Sequence, residues 1–238
     1  MYSFYRTINY LFIATAVFFT LKKFINLKRA KEFFLKKEKL LILIYGIILT
    51  GVLIFFDSIS GEIIKRQNSF DLLWKLANYL GEGKIVFSVL SLIIYIFFVL
   101  KNEKVERIAG LSLISSILSG FIVQIIQTIF MRARPFIENV TALSFFKFNE
   151  AYSKGFFKAD YRSFPSGHAV TSFALFFAIA FSVKNKILRT VLCIIPCLTA
   201  ISRVYLNKHW FSDVIGSLVI AAWTTSFILY IQKKDSDI

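Results

Sequence analysis

The chain is short of charge, of proline, of cysteine and above all of histidine. Charged residues make up 18% of its 238 positions against 57% hydrophobic ones, and 28 residues are phenylalanine. A soluble domain of this length carries more polar surface, so the expected solvent is a bilayer. Only three prolines and two cysteines occur. Cys193 and Cys197 lie four apart inside an apolar run, where helical i,i+4 geometry does not suit a disulfide, so they read as small packing residues that say nothing of redox compartment. No carboxylate cluster suited to a hard cation is visible, and no metal or other cofactor is expected. No internal repeat or low-complexity tract appears. Acidic residues are also few: 29 Lys and Arg against 14 Asp and Glu give a net charge of +15. Such a surplus fits nucleic acid or an anionic membrane surface. Here the basic residues lie between apolar runs with no soluble basic domain, which excludes nucleic acid and leaves the membrane.

The long apolar runs set the expected architecture. Ile108–Met131 has 24 residues and no charge, enough to cross about 30 Å of hydrocarbon. Leu40–Phe56, Ile85–Leu100, Ala169–Val183 and Val214–Ile231 follow the same pattern, and Thr190–Tyr205 does so until Arg203 near its end. The expected fold class is therefore all-α, a polytopic membrane helix bundle with six core transmembrane helices. Segments 22–39, 101–107, 184–189 and 232–238 hold 16 Lys and Arg in 38 residues, whereas 57–84, 132–165 and 206–212 hold 11 in 69. The denser set is expected on the cytoplasmic side and the sparser set outside.

The first 39 residues differ from the rest. Ile8–Leu21 is apolar but only 14 residues long, and Lys22–Lys39 is basic with interleaved Phe24, Ile25, Leu27, Phe33, Phe34 and Leu35. A seventh span, an interfacial helix and an uncleaved signal-anchor all fit residues 1–21. A cleaved signal peptide fits less well, because no small-residue site precedes the lysines. We expect an interfacial or partly inserted helix. The organisation is then an apolar and basic segment over 1–39, a membrane domain over 40–231 and a short cytoplasmic tail over 232–238. An amphipathic helix is expected in 57–84, capped by Ser69, with Leu72, Leu73, Leu76 and Leu80 at helical spacing. It reads as a surface helix or as a side wall for entry of a lipid.

Three polar clusters interrupt this apolar sequence, all in the sparser set of segments or beside it. Pro165-Ser166-Gly167-His168 opens an apolar helix. Ser166 is a good N-cap, and the open first turn, the hydroxyl and the helix dipole together suit an anion. Gly167 lets an anion approach the backbone closely. His168 sits near enough to exchange a proton with it. In the second cluster His209 and Asp213 are four apart, on one face if both are helical. Asp213 would accept from one ring nitrogen and leave the other free to attack. Arg203 and, in the third cluster, Arg134 offer forked guanidinium groups suited to a phosphoryl group. Both histidines of the chain are thus used.

These residues resemble the signature of the type 2 phosphatidic acid phosphatase (PAP2) superfamily, K-x6-RP, PSGH and SR-x5-H-x3-D. Residues 165–168 match the second part; Ser202, Arg203, His209 and Asp213 match the third; Arg134-Pro135 end the first. The resemblance implies a metal-independent phosphatase. His209 would attack phosphorus and form a phosphohistidine, with Asp213 orienting it. His168 would protonate the leaving oxygen and then activate water. Arg134, Arg203, Ser166 and the Gly167 amide would hold the phosphoryl oxygens. The family lysine falls at Gln127. There the resemblance implies a neutral donor to phosphate, or a charge supplied by Arg132 or Lys208, or a catalytically impaired member.

Spans flanking an outward site imply a membrane lipid phosphate. The family's candidates are phosphatidic acid, phosphatidylglycerophosphate, undecaprenyl diphosphate and the phosphates of lipid A, in a bacterial inner membrane with the site facing the periplasm. The loop 136–161, with Phe145, Phe146, Phe148, Phe156, Phe157, Lys147, Lys154 and Lys158, would suit a large anionic head group such as lipid A. Two rivals remain. A polytopic transporter would line its path with Arg203 and Asp213 and release no phosphate. A haem or metal protein would use the histidines as ligands and purify with metal or colour.

Overall fold

The structure is a computed structural model and describes residues 2–57, 71–154 and 159–232. The expected cap at Ser69, the aromatic and basic residues Phe156, Phe157 and Lys158, the Lys154 side chain and the tail from 233 onward lie outside what is described. Among the described residues the chain is helical, without a named strand. The helices are α1 (Tyr2–Phe24), α2 (Ala30–Leu35), α3 (Lys37–Ile54), α4 (Asp71–Tyr79), α5 (Gly83–Val99), α6 (Glu103–Phe130), α7 (Phe148–Lys154), α8 (Gly167–Ser182), α9 (Lys186–Tyr205) and α10 (Phe211–Ile231).

Each of the six expected apolar runs coincides with a helix: α3, α5, α6, α8, α9 and α10. The ends follow from capping chemistry. Asn102 accepts from the Val105 amide at 3.3 Å to start α6, and Glu103 and Glu106 in its first turn suit the positive end of the helix dipole. Asn185 accepts from the Leu188 amide at 3.0 Å to start α9. By length and hydropathy α6, α9 and α10 each suffice to cross a membrane. A fourth span forms if α4 and α5, bent by 49°, count as one. The count of six spans is therefore not reached on length and hydropathy alone. Helix α8 has 16 residues, and α3 begins with Lys37, Glu38 and Lys39.

Helix α8 is central, packed against α6, α9 and α10. Its Ala169, Val170, Phe173, Ala174 and Phe177 join Val123, Ala200, Val204, Val214 and Ala221 in the main core. The outer faces invert the soluble pattern: Leu40, Ile42, Tyr45, Ile47 and Ile48 on α3 are exposed, as a helix facing hydrocarbon requires. Small and hydroxyl residues let the helices approach, as where Ser119 meets Thr224 at 2.5 Å.

Helix α1 packs along the bundle against α5 and α6, although by length and hydropathy it does not count among the membrane-crossing helices. Its Asn9 bonds Ser88 at 2.9 Å, Phe12 meets Tyr95, and Lys23 pairs with Glu106 at 3.0 Å and Glu103 at 3.3 Å. It therefore runs parallel to α5 for most of its length. The basic stretch after it is not one interfacial helix. It breaks into a 3-10 turn and the six-residue α2, because Phe33 is driven into the bundle against Trp223, Phe227 and Tyr230. Asn26 and Arg29 bond the Ile231 and Gln232 carbonyls at 2.8 Å. One end of the bundle thus gathers segments 22–36, 101–107 and 231–232. The polar clusters lie at the other.

Candidate active site

Three loops are stitched together at that other end. The Ser163 amide donates to the Arg132 carbonyl at 3.0 Å and the Ser166 amide to the Asp213 carbonyl at 3.2 Å. The Trp210 indole donates to the Ala133 carbonyl at 2.9 Å, and Ser217 Oγ to the Ser166 carbonyl at 2.9 Å. All three polar clusters of the sequence are thereby brought to one place.

His209 lies before α10 and not within it, so the one-helix-face expectation for His209 and Asp213 is corrected. Its Nδ1 is 2.7 Å from the Ser163 carbonyl oxygen and 3.5 Å from Asp213 Oδ2. A carbonyl only accepts, so Nδ1 carries the hydrogen and Nε2 the lone pair. The ring is 2% exposed. Burial pushes its pKa down to about 3; Arg134 and Arg203 act in the same direction and Asp213 opposes them. His209 is neutral at pH 7.

Asp213 holds the surroundings of His209. Its Oδ2 accepts from Ser163 Oγ at 2.5 Å and from the Trp210 amide at 2.9 Å, and its Oδ1 from Arg132 Nη1 at 2.5 Å. Arg132 is fully buried. It also donates to Ser212 Oγ at 2.7 Å, Asp57 Oδ2 at 2.6 Å and the Ala142 carbonyl at 2.6 Å. The Ser212 amide and hydroxyl both donate to Asp57. Arg132 is therefore committed to this network and is not a spare charge for phosphate. Burial raises the pKa of Asp57, and its bonds to Ser212 and Arg132 oppose that rise.

Arg134 and Arg203 differ from Arg132. The Nε of each is buried without a hydrogen-bond partner among the described residues. Arg203 uses Nη1 on Asn78 Oδ1 at 2.5 Å. The two guanidinium groups lie close enough to act on one another and on both histidines. Burial lowers the pKa of Arg134, while Asp213 and Asp160 oppose it. Ser166 caps α8, accepting from the Ala169 amide at 3.5 Å. The Gly167 amide sits at the open end of that helix, and a Cβ added to Gly167 would meet nothing within 4 Å.

Gln127 is 6% exposed, and its Nε2 donates to the Pro165 carbonyl at 2.7 Å, which fastens the loop before α8. Lys208 lies over the Phe136 ring, 4.9 Å from its centroid.

Four residues at the site escaped sequence reasoning: Ser163, Asp57, Asn78 and Glu82. Glu82 Oε2 is 2.9 Å from His168 Nε2. A signal for it existed, a carboxylate between Gly81 and Gly83 at a break between two apolar helices. Asp57 likewise ends an uncharged run.

Residues 109–237 match the sequence profile of the PAP2 superfamily. The chain belongs to the PAP2 superfamily. It is similar to the undecaprenyl-diphosphatase BcrC of Bacillus subtilis (strain 168), 27% identical over 167 residues that cover 70% of this chain and 76% of that protein. The fold resembles the PAP2-type phosphatidylglycerolphosphate phosphatase of Bacillus subtilis, with TM-score 0.62, 20% identity and coverage of 82% of this chain and 95% of that one. It also resembles Aquifex aeolicus LpxE, with TM-score 0.54, 22% identity and coverage of 71% and 92%. As a PAP2 protein with apolar spans it is an integral membrane protein of a phosphatase family, which leaves the transporter and haem readings without support.

Proposed function

We propose that this PAP2 protein hydrolyses a phosphate monoester or diphosphate of a membrane lipid at the outer face of a bacterial inner membrane. The observation that carries the reading is the convergence of the Arg134 and Arg203 guanidinium groups on a neutral His209 whose Nδ1 is held by a carbonyl. Each has a buried Nε that a phosphoryl oxygen satisfies; Arg162 and Arg189 carry such an Nε too, so it is the position beside the histidine that singles these two out. His209 Nε2 attacks phosphorus, the bond to the lipid oxygen breaks, and His168 gives that oxygen its proton. Water then attacks the phosphohistidine, passing a proton to His168 and releasing phosphate. Arg134, Arg203 and the Gly167 amide at the α8 N-terminus hold the phosphoryl oxygens.

An apolar groove lies beside the histidines and not around them. It has about 820 Å³ between α3, α6 and α10, with Phe145 and Phe164 in its lining. It supports a lipid substrate by offering a hydrocarbon chain a place one residue from Ser163, which holds His209. The outward orientation rests on the basic residues gathered at the opposite end. The test is phosphate release by purified protein from undecaprenyl diphosphate, phosphatidylglycerophosphate, phosphatidic acid and lipid A, with His209→Ala as control. Undecaprenyl diphosphate heads the panel because of the similarity to undecaprenyl-diphosphatase BcrC. Release by wild type but not by the variant supports the reading, and release by neither overturns it.

A further inference from the structure

Among the described residues, one ionisable side chain outside the family signature reaches a histidine of the site. Glu82 occupies the N-cap position of α5, at the bend between α4 and α5, and makes no side-chain capping bond there. It is held there by close packing. A Cβ on Gly81 would lie 2.2 Å from the His168 carbonyl oxygen, so only glycine permits this approach. Thr199 Oγ1 donates to the Ala77 carbonyl at 3.0 Å, and Trp74 packs on Tyr205 with ring centroids 5.4 Å apart. Asn78 on the same segment holds Arg203. The carboxylate is one-third exposed, yet it is turned onto His168 Nε2.

We propose that Glu82 is the positioning residue of His168, assigning Nε2–H to itself and Nδ1 to the substrate. The inference rests on the function proposed above. With Nε2–H donated to Glu82, the neutral ring presents its Nδ1 lone pair to water in the second step, and the protonated ring presents Nδ1–H to the leaving oxygen in the first. The Glu82 bond is unchanged through both steps, so atoms and charge balance between substrate, His209 and Nδ1. The carboxylate also stabilises the imidazolium formed when water is activated. Arg203 and Arg134 face the same ring from α9 and from the loop after α6.

The test compares full-length wild type, Glu82→Ala and Glu82→Gln on the best lipid phosphate and on p-nitrophenyl phosphate. The expected result is a fall in kcat of about 10- to 100-fold for Glu82→Ala on the lipid, with KM changed less than about threefold. Glu82→Gln still accepts from Nε2 and recovers part of the rate. Nitrophenolate leaves without a proton, so Glu82→Ala keeps its first-turnover burst near the wild-type rate while later turnovers slow. Unchanged kcat in Glu82→Ala overturns the inference. So does a fall in KM at constant kcat, which would make Glu82 a competitor of phosphate, and so does equal loss of burst and steady state in both variants. Wild-type protein inactive on every lipid phosphate would overturn the functional reading, and this inference with it.

Discussion

The Nδ1 of His209 is closer to the Ser163 carbonyl than to Asp213, at 2.7 Å against 3.5 Å. The backbone, and not the carboxylate, fixes the tautomer. Asp213→Asn is therefore expected to cost only about 10- to 100-fold in kcat/KM, well short of the roughly 10⁴-fold loss expected where an aspartate alone holds the tautomer. Steady-state kinetics on protein that still elutes as a single species in detergent checks this. A loss near 10⁴-fold would return the tautomer role to Asp213.

Asp57 shares the Arg132 guanidinium with Asp213, and all three side chains are fully buried. Removing one member of such a set leaves uncompensated charge and unsatisfied donors. Asp57→Ala should lower stability by about 3–5 kcal/mol, read as a drop in the thermal midpoint in detergent. Activity should fall as well, although Asp57 lies outside the family signature, because Ser212 and Asp213 open α10 beside it.

The buried His209 gives the protein an acid sensitivity whose direction is fixed. Its pKa in the fold is about 3, below the ordinary 6.5. Between those values the unfolded chain takes up a proton that the folded chain refuses. The stabilisation is fully present above pH 6.5 and is lost as pH falls toward 3, at up to roughly 1.4 kcal/mol per pH unit. Thermal midpoints of wild type and His209→Ala, compared from pH 7 to pH 4, should converge or cross as pH falls. Parallel curves would show that the ring is not held neutral.

Much of this was readable in the residues. Uncharged runs located the six apolar helices, and Ser166 marked the start of α8 through its local capping chemistry. The clusters around His168 and His209 carried the family signature in their spacing. What stayed hidden depended on contacts between distant parts of the chain. Glu82 meets His168 across 86 positions, Asn78 meets Arg203 across 125, and Asp57 meets Ser212 across 155. No periodicity encodes such pairings. The bonds of Gln127 to the Pro165 carbonyl and of Arg132 to the paired carboxylates Asp57 and Asp213 are likewise contacts that residue type alone does not reveal. The break between α1 and α3 was hidden too, since nothing local distinguishes the buried Phe33 from the exposed Phe34.

Glutamine at position 127 also alters the charge inventory of the pocket. The guanidiniums of Arg132, Arg134 and Arg203 are matched in number by the carboxylates of Asp57, Asp213 and Glu82, and His209 is neutral. A lysine at 127 would have tipped this set positive. Arg132, Asp57 and Asp213 pair among themselves behind His209, so Arg134 and Arg203, with Glu82 as the nearby carboxylate, supply the charge that a phosphate meets. Liberated orthophosphate is then held by one positive charge fewer than a lysine at 127 would give, and should leave the pocket to the next lipid more readily.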